Sequence, residues 1–145
     1  MILLDTTVVS LVFRREGGLG EVEMAVVGEV KRLIRGKAPL ALPGIVLQEV
    51  LSGVRTEEAY DKLQENLRGY PVLLAVEEDH KLGAQIMNRC RKKGITASTV
   101  DCLVAAQAVS TGGHLLSTDE DYVRMSRHCR LRLWPIPSGA AGRDA

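Results

Sequence analysis

The chain has 145 residues, the length of one ordinary domain, with 46% hydrophobic and 26% charged residues. Its formal net charge of +1 excludes a global basic field, so a polyanion would have to be held by local patches or by bound cations. One Trp, one Phe and three Tyr argue against arrays of stacking platforms for bases and leave the core to Leu, Val, Ile and Ala.

Ile2 to Leu4 form an unbroken apolar run, the pattern of a strand buried on both faces, and Asp5 ends it. Thr6 to Phe13 read as a helix with Thr6 as its N-cap, closed by Gly17, Gly18 and Gly20. Val22, Ala25, Val26, Val30, Leu33 and Ile34 recur at helical spacing and predict a surface helix over 21–35. Gly36 and Pro39 stop it, Leu40 to Leu42 give a second strand, and Pro43 is a boundary or first helical residue. A short helix follows through Glu49 to near Gly53, and another runs from a Thr56 cap to Arg68.

Val72 to Val76 predict a third strand. A long helix over 77–93 follows, with an acidic first turn and a basic last turn that match its dipole. Val100 to Val109 read as a helix that Asp101 opens. His114 to Leu116 read as a fourth strand, Asp119 to Arg127 as a short helix and Leu131 to Trp134 as a last strand. Alternating strands and helices predict an α/β three-layer fold with a mainly parallel central sheet of four to five strands flanked by helices. Residues 1–137 are expected as a single domain and 138–145 as a disordered tail.

Cys90, Cys102 and Cys129 are odd in number and lack metal-ligand spacing, so they are expected as free thiols in a reducing compartment. No apolar stretch approaches the ~20 residues of a membrane span. The N-terminal run carries Asp5 early and no basic lead-in, so the expectation is a cytoplasmic protein with no membrane partner. His80, His114 and His128 are scattered and form no metal motif.

Function is sought in four carboxylates attached to apolar runs: Asp5, Glu49, Asp101 and Asp119. A charge beside a segment bound for the core is costly unless it is hydrogen-bonded, paired or bound to a cation. In parallel sheets ligands bind beyond the carboxyl ends of strands, where Asp5 and Asp119 fall. Oxygen donors without Cys or His suit a hard cation, Mg2+ or Mn2+, and carboxylate-held metal suits phosphodiester hydrolysis. Each acid also has a plain structural reading: Asp5 and Asp119 as helix caps, Asp101 and Asp121 as first-turn charges, Glu49 as solvated surface. Thr6, Thr7 and Ser117 flank the acids and are candidates to orient them.

MILLDTTVVS, LQEVLSG and DCLVAAQAVSTGGHLLSTDEDY, with the order Asp, Glu, Asp, Asp, make the chain resemble the PIN-domain nucleases, most closely the VapC-like toxins of toxin-antitoxin pairs. The resemblance spans nearly the whole chain. It implies a PIN-like fold and a Mg2+- or Mn2+-dependent endoribonuclease inhibited by a small antitoxin protein, with a homodimer as the expected assembly. Carried over by motif, Asp5, Glu49, Asp101 and Asp119 are the catalytic acids, and Asp5, Asp101, Asp119 and Asp121 the metal set. The DEDY ending leaves Asp119 and Asp121 sharing the fourth place. The helix over 21–35 corresponds to the region that helps form the antitoxin groove, with core packing as the competing reading of its apolar residues. Ser117-Thr118-Asp119 stands where the family commonly has a basic residue before the acid.

Among the cations, Arg14 and Arg15 are the preferred candidates for RNA phosphates, since they follow the helix that starts at the acidic edge. Three alternatives stand beside the toxin: a housekeeping PIN nuclease in RNA processing or on structured DNA, a catalytically silent PIN binding module, and a phosphoacceptor receiver domain. The receiver needs an acid pair after the first strand and a Lys after a late strand, which this chain lacks.

Overall fold

The computed structural model describes residues 1–14 and 17–137. The elements in order are β1 (Ile2–Leu4), α1 (Thr6–Phe13), α2 (Glu21–Arg35), β2 (Leu40–Pro43), α3 (Gly44–Leu51), α4 (Glu57–Leu67), β3 (Val72–Leu73), α5 (Glu77–Lys92), α6 (Thr99–Ser110), β4 (His114–Leu116) and α7 (Glu120–Ser126). The strands form one sheet in the order β3-β2-β1-β4, with every pairing parallel. β1 and β2 are buried along their whole length because helices cover both faces, which is why their sequences show no polar alternation.

Close packing rests on two glycines. A Cβ on Gly113 would collide with the Met1 carbonyl, which the next residue's amide, His114 N, bonds at 3.0 Å to bring β4 beside β1. A Cβ on Gly83 would stand 3.4 Å from the Cys102 carbonyl, so α5 and α6 pack backbone to backbone there. Cys90 and Cys102 are buried and all three cysteines are free thiols.

Several local expectations shift. Asp5, not Thr6, is the N-cap of α1, because its carboxylate reaches the Thr6 amide at 2.7 Å. α2 ends through Lys37, which takes the left-handed conformation (φ 56°), with the Ala38 amide bonding the Leu33 carbonyl at 2.9 Å. Pro43 closes β2 as its last residue. β3 spans two residues instead of five: Leu74 and Val76 lie beyond its ladder, and the Gln107 side-chain amide bonds the Leu73 carbonyl at 3.0 Å. The expected last strand is reduced to a single parallel bridge between Leu115 and Leu133. The expected tail, 138–145, lies outside the described residues.

The apolar stripe of α2, Val26, Val30 and Leu33, is core. Buried Glu29 on the same helix accepts Arg32 at 2.7 and 2.8 Å and the Trp134 indole N–H at 2.8 Å, pinning the C-terminal segment to α2. Among the described residues no helix is long and apolar enough to cross a membrane.

Candidate metal centre

β1 and β4 are neighbours, so their carboxyl ends deliver Asp5 and Ser117 to one edge of the sheet. Asp5 is buried, and its two oxygens are committed: Oδ1 accepts the Thr6 amide, and Oδ2 accepts the Thr7 hydroxyl at 2.9 Å and the Ser117 hydroxyl at 2.7 Å. Burial pushes its pKa up, the bonds from Ser117, Thr7 and Thr6 pull it back, and the charge of Asp119 pushes it up again.

Asp101 lies on the first turn of α6, whose N-cap Ser98 accepts the Asp101 amide at 3.0 Å. Its Oδ1 accepts the Tyr122 hydroxyl at 3.2 Å. Burial raises the Asp101 pKa, bonds from Ser98 and Tyr122 lower it, and the charges of Asp119 and Asp5 raise it. Asp119 caps α7: its amide donates to Ser117 Oγ at 3.0 Å and its Oδ1 accepts the Asp121 amide at 2.9 Å.

Among the described residues, one group of three acids can offer oxygens that all lie within 4.8 Å of one another: Asp101, Asp119 and Asp121. Three anions at that spacing repel unless a cation joins them, and an all-oxygen donor set fits a hard divalent ion. Asp5 falls outside this tight set but is close enough for its charge to be felt by Asp101, and the charge of Asp119 is felt by Asp5. Glu49, on α3, is exposed and joins the edge through Thr6, whose hydroxyl donates to its Oε1 at 2.8 Å. The plain structural readings of Asp5 and Asp119 as caps and of Asp101 and Asp121 as first-turn acids also hold geometrically, so each acid's local role and its place in the cluster coexist.

Sequence reasoning gave Tyr122 no role. It is buried, and burial together with the charges of Asp5, Asp101 and Asp119 drives its pKa far upward, so it remains a neutral donor. The signal was available: Tyr122 and Met125, three apart, form the core-facing stripe of α7, which turns the phenol under the acids. Thr118, also unassigned, donates its hydroxyl to Thr7 Oγ1 at 3.1 Å. Arg124 pairs with Asp121 from one turn later on α7. Arg14 Nη1 donates to the Val50 carbonyl at 3.2 Å, and Arg15 lies outside the described residues. His80, His114 and His128 are absent from the acidic group.

Residues 2–128 match the family described as PIN domain. The chain is 30% identical over 135 residues to the VapC ribonuclease Mb1587 of Mycobacterium bovis and to Ribonuclease VapC11 of Mycobacterium tuberculosis, covering 91% of this chain and 96% of each relative. FitAcB from Neisseria gonorrhoeae shares the fold with a TM-score of 0.73 at 21% identity, over 93% of this chain and 97% of that one. VapBC2 from Rickettsia felis, solved bound to a promoter DNA fragment, does so with a TM-score of 0.74 at 18% identity, over 94% and 100%. With its parallel sheet and acidic edge, the chain belongs to the PIN-domain family, in its VapC-like branch.

Proposed function

We propose that this protein is a Mg2+- or Mn2+-dependent endoribonuclease and the toxin of a toxin-antitoxin pair, acting in the cytoplasm. The observation that carries the reading is the convergence of Asp101, Asp119 and Asp121 beside buried Asp5 at the carboxyl edge of a parallel sheet. The ribonuclease names of the relatives at 30% identity support the same chemistry.

In this reading Asp101, Asp119 and Asp121 supply oxygens to the ion, and Asp5 completes the negative field from below. A divalent ion bound there supplies charge neutralisation at the scissile phosphate and lowers the pKa of water. Ser117 and Thr7 hold the Asp5 carboxylate in one orientation, Tyr122 does so for Asp101, and Thr6 tethers Glu49. Glu49, exposed at the rim, is placed to take a proton from the attacking water onto its carboxylate.

A small antitoxin is the proposed protein partner, as the names of solved VapBC relatives suggest. Val22, 62% exposed at the start of α2, gives an apolar contact beside the site, where it and Thr118 line one hollow. A homodimer is also proposed. Val26, Val30 and Leu33 of α2 are taken up by the core, and exposed Val72, Leu74 and Val76, on and just after β3, are the proposed contact for a second copy. The decisive experiment is cleavage of a defined RNA panel with Mg2+, with Mn2+ and with chelator. Cleavage that needs the metal and vanishes in Asp101→Asn is expected; cleavage retained in that variant overturns the site.

A further inference from the structure

Away from the acids, a cavity of ≈ 400 Å³ opens between the end of α1, the α3–α4 loop and α4. Its lining brings together Arg14, Arg55 and Lys62, with Phe13 and Leu63 as apolar neighbours and no carboxylate among the described residues. The three cations come from three different parts of the chain, and none forms an ion pair among the described residues. Arg14 is fixed by its bond to the Val50 carbonyl, which uses one of the five guanidinium N–H groups. Three positive groups around one hollow, with no counter-charge in its lining among the described residues, favour an anion from outside.

We propose that this cavity is a subsite for an RNA backbone phosphate other than the one being hydrolysed; the proposal rests on the ribonuclease reading. Arg14 belongs to two hollows. The second, ≈ 530 Å³, is lined by Thr7, Ser10, Arg14 and Thr118, with the Glu23 carboxylate on its α2 side, and Thr7 is bonded to Asp5. The path from acids to cations therefore runs along α1, and seven residues from Thr7 to Arg14 at 1.5 Å per residue make it about 10 Å long. A single strand with one phosphate at the acids lies along this helix and reaches the three cations with another. The polynucleotide is the occupant argued for because its phosphates repeat along one backbone, so a strand held by one phosphate at the acids presents further phosphates to the cations. Planar Arg14 and Arg55 suit bidentate phosphate contact, with Lys62 as a point charge.

The test compares the full-length chain with an Arg55→Ala/Lys62→Ala variant and with Arg55→Lys. Arg14 is left intact because it ties α1 to α3. Fluorescence polarisation of a labelled RNA oligonucleotide in chelator reads binding, RNA cleavage with Mn2+ reads KM and kcat, and calorimetry with Mn2+ alone reads the acidic site. The double variant is expected to bind RNA about tenfold more weakly and to raise KM while kcat and Mn2+ affinity hold. Its slope of log K against log salt should flatten by roughly 0.7 for each phosphate that is no longer neutralised. Arg55→Lys should keep most of the affinity. RNA affinity and salt slope unchanged in the double variant overturn the subsite, even with cleavage intact. RNA affinity unchanged but polyglutamate binding abolished reassigns the cavity to an acidic polypeptide and overturns it too. RNA binding that depends on Arg55 and Lys62, with no cleavage under any metal, keeps the subsite and sinks the ribonuclease reading; no RNA binding by the unmodified chain sinks both.

Discussion

Ser117 Oγ donates to Asp5 Oδ2 at 2.7 Å, joining the carboxyl ends of β4 and β1 across 112 positions of sequence. The same hydroxyl accepts the Asp119 amide at 3.0 Å, so one small side chain orients a buried carboxylate and positions the start of the segment that carries Asp119 and Asp121 of the acidic group. Ser117→Ala should raise the Asp5 pKa further and cost about 1.5 to 3 kcal/mol, the range for a hydrogen bond to a charged group. Urea denaturation reads the stability loss, and the acid limb of the cleavage profile should move to higher pH; an unmoved limb contradicts the role given to Ser117.

Tyr122→Phe keeps the ring in the core and removes only the donor to Asp101 Oδ1. Groups that orient metal-holding side chains typically matter by 10- to 100-fold in affinity, so Mn2+ binding by calorimetry should weaken by about tenfold with little change in Tm. A variant that binds Mn2+ like the unmodified chain shows that the phenol merely fills space.

Asp119 and Asp121 separate by what else they do. Asp119→Asn should weaken Mn2+ binding while Asn still caps α7, whereas Asp119→Ala should also lose about 1 kcal/mol of cap energy. Asp121→Ala should weaken Mn2+ binding without a cap loss, since its partner Arg124 sits on the exposed face of the same helix. Paired calorimetry and thermal melts of the three variants check this ordering.

The pH dependence of stability has opposite signs at the two buried acidic regions. Arg32, with Trp134, holds Glu29 below its ordinary 4.5, so the folded chain releases that proton more readily than the unfolded one. This contribution is present above pH 4.5 and is lost as pH falls through the lowered folded value. Asp101 is raised above 3.8, chiefly by burial, so in metal-free protein it favours the fold at low pH. That stabilisation fades as pH rises through 3.8 and is gone above the raised folded value. Melts from pH 3 to 8 should show Glu29→Gln flattening the acid-side loss. Added Mn2+ should raise Tm at pH 7, where the acids are charged, and leave it unchanged near pH 3; equal Tm gains at both would contradict a carboxylate site.

Thiol labelling offers a check on the core. Cys102 is buried and its pKa is pushed up to about 11, first by burial, and burial raises Cys90 as well. Cys129 is only partly buried. A maleimide should therefore modify Cys129 first in native protein and reach the other two only on denaturation, as mass spectrometry of the tryptic peptides would read.

The sequence alone determined most of the elements and marked the acids as candidates, because both are local properties. Unbroken apolar runs such as Ile2 to Leu4 fit strands covered on both faces, the α2 spacing marks a helix over 21–35, and each acid stands out by its place beside such a run. Chain order also placed Asp5 and Asp119 after strands. Tertiary structure decided which groups meet. The parallel pairing of β1 with β4 brings Ser117 to Asp5, and the packing of α7 turns Tyr122 beneath Asp101; neither contact leaves a trace at short sequence range. It also decided the fates of the edges, where propensity is weakest: Val72 to Val76 and Leu131 to Trp134 have strand-like sequences, but a strand extends only as far as a neighbour supplies backbone partners. The acidic group at Asp101, Asp119 and Asp121 belongs to this second kind, since its spacing is set by how α6 and α7 approach the sheet edge rather than by any residue within them.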